Sequence, residues 1–185
     1  GNISLASITS SSPETIKKRL TEAEKSCMRA RELTLQLLTF SRGGTPVKKP
    51  LNIGELLKEA IIFASRGSNI KCEFDIPDTL WTVEADESQI SQVITNLTIN
   101  GCQAMPNGGL LEIAASNLML AQNDSLPLDA GRYVQIAVKD QGLGIPNDHL
   151  GKIFDPYFST KSKGNGLGLA VVFSIIKKHG GLVTA

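Results

Sequence analysis

Five amide side chains recur at helical spacing between Asp86 and Met105, and they could hold a cation: Gln89, Gln92, Asn96, Asn100 and Gln103. Residues three or four positions apart share one stripe of a helix, and an exposed stripe ordinarily carries Lys and Glu. Amide oxygens are hard ligands, and Mg²⁺ needs only one or two protein ligands besides water and phosphate oxygens. The helix alone leaves two interpretations open, a cation site and an amide-rich polar face.

Two glycine-rich segments further along the chain could contact a nucleotide. Asp140 precedes Gly142 and Gly144, and its ionised carboxylate accepts hydrogen bonds only, which suits an exocyclic amine such as adenine N6. Glycines there let the backbone turn tightly against a flat ring, although an ordinary Asp-Gly turn is the alternative. Residues 164–168 (Gly-Asn-Gly-Leu-Gly) open a predicted helix, whose free N–H groups would face phosphate oxygens. This spacing is not G-x-G-x-x-G, and no G-K-[ST] of a P-loop occurs.

An aromatic segment, Phe154 to Phe158, and a polar stretch lie between these two glycine motifs. The aromatic side chains are expected to anchor a mobile lid. The polar stretch contains Thr160, Lys161 and Lys163. A lysine here could meet phosphate as a point charge or stay solvated, and the sequence does not rank the two lysines.

Taken in their order along the chain, the amide-rich helix, the Asp140 turn, the aromatic segment and the 164–168 loop resemble the N, G1, F and G2 boxes of the histidine-kinase ATP-binding domain. That family shares its superfamily with DNA gyrase, MutL and a heat-shock chaperone. The resemblance covers roughly Pro50 to Ala185, and it implies that ATP binds with Mg²⁺ on Asn100 and with adenine at Asp140. It implies catalytic roles for Asn100 and Lys161. The implied cofactor contacts are Asn96, Asn100, Gln103, Asp140, Gly142, Gly144, Ile145, Phe154, Phe158, Thr160, Lys161, Lys163, Gly164, Gly166, Leu167, Gly168 and Leu169.

Two positions depart from the family pattern. Gly101 stands where Ala often follows the second Asn, and this change should be tolerable. Gln103 stands where some relatives carry a basic residue that touches phosphate, so phosphate contacts would depend more on the lid.

The resemblance also implies an activity, transfer of the γ-phosphoryl group of ATP to a histidine and then to an aspartate of a response-regulator receiver domain. The family's phosphoacceptor motif is absent, and we expect its helix to precede residue 1. His149 and His179 are interpreted as structural, because neither a phosphotransfer motif nor a metal motif surrounds them. Two alternatives stay open, a catalytically lapsed nucleotide-binding or interaction module and an ATPase of the gyrase or MutL type.

The Gly43-Gly-Thr-Pro46 segment predicts a linker that separates two parts of the chain. Residues 1–46 are predicted to be part of a dimerisation and phosphotransfer hairpin with its linker, and residues 47–185 the catalytic domain. A long predicted helix after Ser12 carries a heptad seam that needs a partner: Ile16, Leu20, Ala23, Cys27, Ala30, Thr34 and Leu37. We therefore expect a homodimer in the full-length protein.

The elements that must position these motifs follow from periodicity. Helices are predicted over 51–64, 86–105 and from the 164–168 loop to Lys178, where Leu169, Val172, Phe173 and Ile176 should face the core. Strands are predicted over 70–76, 80–84, 111–115 and 133–139, with a polar insertion over 117–131. Trp81 is expected in the core. The pattern predicts an α/β two-layer sandwich of the Bergerat type, a mixed sheet with helices on one face.

The bulk composition narrows the class of protein. Of 185 residues, 41% are hydrophobic and 20% charged, and the net charge of +1 gives no reason to expect nucleic-acid or membrane attraction. The three cysteines are widely spaced, which favours a reducing compartment. No apolar run is long enough to span a bilayer. A cytoplasmic location is expected, and a longer parent could still be membrane-anchored.

Overall fold

The computed structural model describes residues 13–24, 26–27, 45–122, 124–161 and 165–185. The chain divides into two compact units, Gly1–Gly44 and Thr45–Ala185. In the first unit, residues 13–24 and 26–27 are helical. The later seam positions Ala30, Thr34 and Leu37 lie outside the described residues, so the hairpin and its boundary stay predictions. Within the described ranges, no helix has the length and apolarity needed to cross a membrane.

The second unit contains two sheets. Strands β2 (Ile70–Asp75), β4 (Gly109–Leu120) and β5 (Gly131–Asp140) form the larger one, in which β4 lies between parallel β2 and antiparallel β5. Strands β1 (Lys49–Leu51) and β3 (Val83–Ala85) form a separate antiparallel ribbon. The larger sheet is therefore mixed, as the sequence predicted, but the ribbon does not extend it.

Four helices accompany these strands: α1 (Ile53–Ala64), α2 (Glu87–Ala104), α3 (Asn147–Leu150) and α4 (Gly168–Lys178). Side chains fix the starts of the first two, because Asn52 accepts from the Gly54 N–H and Asp86 accepts from the Gln89 N–H. Helix α2 packs against both α1 and α4 and also contacts β5. It is the central helix of the layer.

The core lies between these helices and one face of the larger sheet. Along β4, buried Leu111, Ile113 and Ala115 alternate with more exposed residues, which is the pattern of a strand covered on one side. Leu57 and Ile61 of α1 are completely buried in the same cluster. The predicted α/β two-layer sandwich is confirmed.

Three details of the sequence prediction were wrong. The strand predicted over 80–84 is Val83–Ala85, and β4 continues to Leu120, so the polar connection starts later than expected. Trp81 is only half-buried: the Arg132 guanidinium lies over its ring at 4.0 Å from the centroid. One face of the Trp81 ring is therefore covered by a guanidinium group instead of by apolar side chains.

The buried face of α4 also differs from the prediction. Val172 is buried as expected, whereas Phe173 is 40% exposed and its ring lies 5.7 Å from that of Phe154. Val171 and Ile175 are buried instead. The helix is apolar on most of its surface, so periodicity alone could not choose the face.

Candidate functional site

Asn96 lies in the interior, where α2 meets the start of α4. Its side chain is 6% exposed, and Nδ2 donates a hydrogen bond of 3.3 Å to the carbonyl oxygen of Gly168. The amide stripe is therefore not exposed along its whole length, because one of its members is buried and holds a neighbouring helix. A buried amide needs such a partner, since an unpaired one is costly.

Asn100 lies one turn further along α2 and faces the same glycine. A Cβ atom added at Gly168 would be 3.8 Å from Nδ2 of Asn100, which is ordinary van der Waals contact. No described residue hydrogen-bonds the Asn100 side chain, so its amide remains available to a ligand. The structure thus brings together Asn96, Asn100 and the glycine that opens α4.

The N-terminus of α4 is an anion-binding feature next to these asparagines. Its N-cap residue is Leu167, which is 3% exposed, and no described side chain caps the helix. The first N–H groups of a helix lack intrahelical partners and carry partial positive charge. Gly168 and the half-buried Leu169 therefore offer backbone donors of the kind that phosphate oxygens accept.

Asp140 is the last residue of β5, and its carboxylate accepts a hydrogen bond from the glycine turn that follows it. Its Oδ1 accepts from the Gly142 N–H at 2.8 Å, and no described residue donates to Oδ2. A Cβ at Gly142 would lie 2.8 Å from the Ala104 carbonyl oxygen, so only glycine fits between this turn and the end of α2. The open carboxylate oxygen is suited to an exocyclic amine.

The rest of the turn is open to solvent. Gly144 has φ +72°, and a Cβ there would meet nothing within 4 Å. Ile145 is 45% exposed and Leu143 is 96% exposed. These apolar side chains could cover a flat ring bound next to Asp140.

Gly101, one departure from the family pattern, has a packing explanation. A Cβ at this position would lie 2.7 Å from Cδ1 of Leu111, which is completely buried in the core, and 3.6 Å from Cβ of Asp140. Glycine lets α2 approach β4 and the start of the Asp140 turn closely. The departure follows from a local fit between helix and sheet.

Backbone contacts join the aromatic segment to the last glycine loop. The Tyr157 N–H donates to the Gly166 carbonyl oxygen at 2.9 Å, and both residues have positive φ (68° and 63°). A Cβ at Gly166 would lie 2.6 Å from the Phe158 nitrogen. No side chain can therefore replace glycine here without moving the aromatic segment.

Aromatic contacts hold this segment onto the domain. Phe154 packs on Phe173 of α4, and Phe158 meets the His149 ring edge-on with centroids 5.4 Å apart. Thr160 beyond it is exposed, whereas Ile153 before it is buried. The predicted anchoring by aromatics agrees with these contacts, and they give His149 a structural role.

Lys161 is an exposed residue, but its ammonium group contacts helix α2. Nζ donates a hydrogen bond of 2.9 Å to Oε1 of Gln103. Burial lowers the pKa of Lys161 below its usual 10.5, and the opposing influence is the nearby Asp140 carboxylate, which raises it. The contact joins the predicted phosphate lysine to the Asp140 end of the site.

Sequence reasoning missed the role of His179. Its Nε2 accepts from the Asp86 N–H at 3.0 Å, and its Nδ1 lies 2.8 Å from the Ile175 carbonyl oxygen, so the neutral Nδ1–H tautomer satisfies both. Asp86 followed by Gln89 three positions later is the pattern of a capping box, and only its Asp86 half is formed. Gln89 receives no bond from the Asp86 backbone, and its Oε1 is buried without a partner among the described residues.

Not every predicted site residue can be placed. Lys163 and Gly164 lie outside the described residues. Among the residues that are described, no group of three or more His, Cys, Asp or Glu could hold a metal. A cation here would depend on amide and phosphate oxygens, which fits the donor set around Asn100.

Comparison with known proteins agrees with this geometry. Residues 85–185, more than half of the chain, match the model of the family described as histidine kinase-, DNA gyrase B-, and HSP90-like ATPases. The chain belongs to this family. Its resemblance is to the histidine kinase catalytic domain, because the relatives are named sensor kinases.

Three similar proteins illustrate the relationship. The chain is 40% identical over 162 residues to sensor kinase CckA of Brucella abortus, covering 84% of this chain and 17% of that protein. It is 33% identical over 162 residues to sensor histidine kinase ZraS of Escherichia coli K12, covering 86% and 32%. The solved structure of histidine kinase ThkA in complex with response regulator TrrA matches at TM-score 0.67 and 25% identity, covering 97% and 49%.

The chain therefore spans only a fraction of the length of the kinases it matches. The family assignment covers the ATPase-type domain, from β3 and α2 to the last residue. Within that domain lie α2, the Asp140 turn, the aromatic segment and the start of α4.

Proposed function

We propose that this chain is the ATP-binding catalytic part of a two-component sensor histidine kinase. It would bind Mg-ATP and transfer the γ-phosphoryl group to an imidazole nitrogen of a phosphoacceptor histidine other than His149 and His179. The phosphoryl group would then pass to an aspartate of a response-regulator receiver domain. In such transfers the protein contributes mainly positioning and neutralisation of charge.

One observation carries the proposal: Asn96 and Asn100 of α2 meet the uncapped start of α4 at Gly168. Backbone donors for phosphate and amide oxygens for a cation are then adjacent, as bound Mg-phosphate requires. We assign the phosphates to Gly166, Leu167, Gly168 and Leu169, with the undescribed Gly164 and Lys163 as further contacts.

The adenine end of the site is proposed at Asp140. The free carboxylate oxygen would accept from the exocyclic amine, and the backbone of Gly142 and Gly144 would lie against the ring. Ile145 would cover one face of it. Gln103 lies beside this end, and Phe154, Phe158 and Thr160 belong to the segment that borders the site.

Mg²⁺ would be held by the Asn100 side-chain oxygen together with phosphate oxygens and water. When bound, it would neutralise charge that develops on the transferred group. Asn96 is proposed as a support, because its buried amide already holds the Gly168 carbonyl. A direct cofactor contact from Asn96 stays a prediction. A catalytic contact from Lys161 to phosphate stays a prediction.

The proposed partners follow from the same assignment. The relatives are sensor kinases, and ThkA is seen with a response regulator, which supports a receiver domain as partner here. A homodimer would form through the helical hairpin of the full-length protein. ATP as substrate implies a cytoplasmic location for this domain.

The direct test is transfer of labelled phosphate. The protein is mixed with γ-labelled ATP, Mg²⁺ and a separately produced helical hairpin domain from a related kinase that carries the phosphoacceptor histidine. We expect acid-labile label on the hairpin, and none when its histidine is replaced by alanine. Binding of ATP without transfer would favour a lapsed signalling module. Steady ATP hydrolysis that does not depend on the acceptor histidine would favour an ATPase of the gyrase or MutL type.

A further inference from the structure

The thioether of Met105 is a buried hydrogen-bond acceptor at the Asp140 turn. Met105 is the C-cap residue of α2 and is 5% exposed. Its Sδ accepts a hydrogen bond from the Gln141 N–H at 3.4 Å, 36 positions further along the chain. A thioether sulfur is a weak acceptor, and methionine ordinarily serves as an adaptable apolar filler of cores. The bond therefore calls for an explanation beyond core packing.

Local contacts restrict the position of this sulfur. The Met105 N–H donates to the Cys102 carbonyl oxygen at 3.3 Å, and the Met105 carbonyl oxygen accepts from the Gly108 N–H at 3.0 Å. A Cβ at Gly109 would lie 2.6 Å from Sδ, so a side chain there would collide with the sulfur. The glycine that begins β4 thus leaves the room that the thioether occupies.

The bond to Met105 orients the peptide unit that follows Asp140. This peptide is planar, so a held Gln141 N–H restricts the ψ rotation at Asp140. The next N–H, that of Gly142, donates to Oδ1 of Asp140 at 2.8 Å. Two consecutive N–H groups therefore hold the turn, one on the sulfur and one on the carboxylate. Their combined effect is to set the direction in which Oδ2 of Asp140 is presented.

We propose that Met105 is a positioning residue that sets the purine specificity of the Asp140 carboxylate. Its sulfur holds the Gln141 N–H, and the oriented turn presents Oδ2 to the exocyclic amine of adenine. The proposal rests on the assignment of Asp140 to adenine. Met105 acts through the turn and not by contact with the nucleotide.

A purely structural role for Met105 makes a different prediction. Met105 belongs to the apolar core, and a defect there would loosen the domain as a whole. Every nucleotide would then bind more weakly by the same factor. Inosine triphosphate (ITP) separates the two roles, because its base carries a carbonyl oxygen in place of the exocyclic amine of ATP. A misplaced carboxylate lowers the preference for ATP over ITP, whereas a loosened domain leaves that preference unchanged.

Met105→Leu is the substitution that tests the sulfur. It keeps the apolar volume, removes the acceptor and is a change that cores normally tolerate. The matched control is Met119→Leu, the same chemical change at a residue of β4 that is 62% exposed. Norleucine in place of every methionine removes the sulfur and keeps the length of the side chain, and it takes the place of Met105→Leu if that variant does not fold. Thermal melting checks folding.

Amide NMR spectra of the ligand-free protein test the bond itself. We expect Met105→Leu to shift the Gln141 amide proton resonance and to speed its exchange with solvent, because the N–H loses its acceptor. Met119→Leu should leave both unchanged. A Gln141 amide that behaves identically in the wild type and in Met105→Leu would overturn the proposal.

Calorimetric titration with Mg-ATP and Mg-ITP tests the specificity. We expect the wild type and Met119→Leu to prefer ATP by about tenfold or more, because the carboxylate meets a donor in one base and an acceptor in the other. In Met105→Leu this preference should be about threefold smaller, through weaker ATP binding at nearly unchanged ITP affinity.

The outcomes separate this inference from the proposed function. A full ATP preference in folded Met105→Leu, or in the folded norleucine protein, would overturn this inference alone. A wild type that binds ATP and ITP equally would contradict the assignment of Asp140 to the amine, and this inference with it. A folded wild type that binds neither nucleotide would overturn the proposed function as well.

Discussion

Asp86 and His179, 93 positions apart in the chain, join the start of α2 to the end of α4. The Asp86 N–H donates to Nε2 of His179 at 3.0 Å, and Oδ2 of Asp86 accepts from the Val47 N–H at 3.0 Å. The two helices that present Asn96, Asn100 and Gly168 are thus tied at their far ends. The N-cap residue of α2 thus also binds the backbone of Val47, just before β1.

Replacing His179 should therefore loosen this tie. We expect His179→Ala to lower the free energy of unfolding by about 1–2 kcal/mol, because the Asp86 N–H and the Ile175 carbonyl lose a partner. Lys178→Ala, at the same helix end, is the control and should change stability by less than about 0.5 kcal/mol. Urea unfolding measures both. Equal effects of the two substitutions would contradict the role given to His179.

The stability contributed by Asp86 should depend on pH. Its pKa is lowered from 3.8, first by the hydrogen bond from the Ser88 hydroxyl and then by backbone N–H groups, while burial opposes the shift. A carboxyl with a lowered folded-state pKa contributes stability that is present above 3.8 and is lost as pH falls through the folded value. Asp86→Asn can still cap α2 but cannot titrate.

Urea unfolding at pH 7 and pH 3 tests this sign. The wild type should lose part of its advantage over Asp86→Asn at pH 3, and Ser88→Ala should reduce the pH dependence, because it removes the largest contribution. If the difference between wild type and Asp86→Asn were the same at both pH values, the assignment would be wrong.

Gly166 and Gly144 form a matched pair for testing the backbone of the site. Both have positive φ, 63° and 72°, so alanine is strained at either position by about 1 kcal/mol or slightly more. Only at Gly166 would the new Cβ also meet the backbone of the aromatic segment. We expect Gly144→Ala to cost about 1 kcal/mol and Gly166→Ala more than about 3 kcal/mol, measured by urea unfolding. Similar costs would argue against the packing described for Gly166.

Substitutions of the two asparagines of α2 should distinguish an effect on stability from an effect on ligand binding. Asn96→Ala removes a buried bond to Gly168 and should destabilise the domain by about 1–3 kcal/mol. Asn100→Ala breaks no bond with a described residue and should stay within about 0.5 kcal/mol of the wild type while losing Mg²⁺-dependent ATP binding. A large loss of stability in Asn100→Ala would show that its amide is structural too.

Sequence motifs indicated the candidate site because nucleotide-binding chemistry depends on short local patterns. The strand before Asp140 and the helix after Gly168 follow from periodicity, and the central helix is delimited by its Asp86 cap. These signals are contained within a few residues, so they can be recognised before the fold is known.

Contacts between distant segments could not be predicted in the same way. The acceptor that His179 provides for Asp86, and the bond from Lys161 to Gln103, join residues whose neighbours carry no matching pattern. Burial of Asn96 was missed because an amide on a polar stripe is ordinarily exposed, and only the packing of α4 against α2 reverses that expectation. Tertiary packing decided these details.

Calorimetric titration tests most directly whether this domain binds Mg-ATP through Asp140 and Asn100. We expect the wild type to bind ATP, Asp140→Asn to bind more weakly with or without Mg²⁺, and Asn100→Ala to lose mainly the part of the affinity that depends on Mg²⁺. A wild-type domain that melts cooperatively and shows no heat of ATP binding would contradict the account.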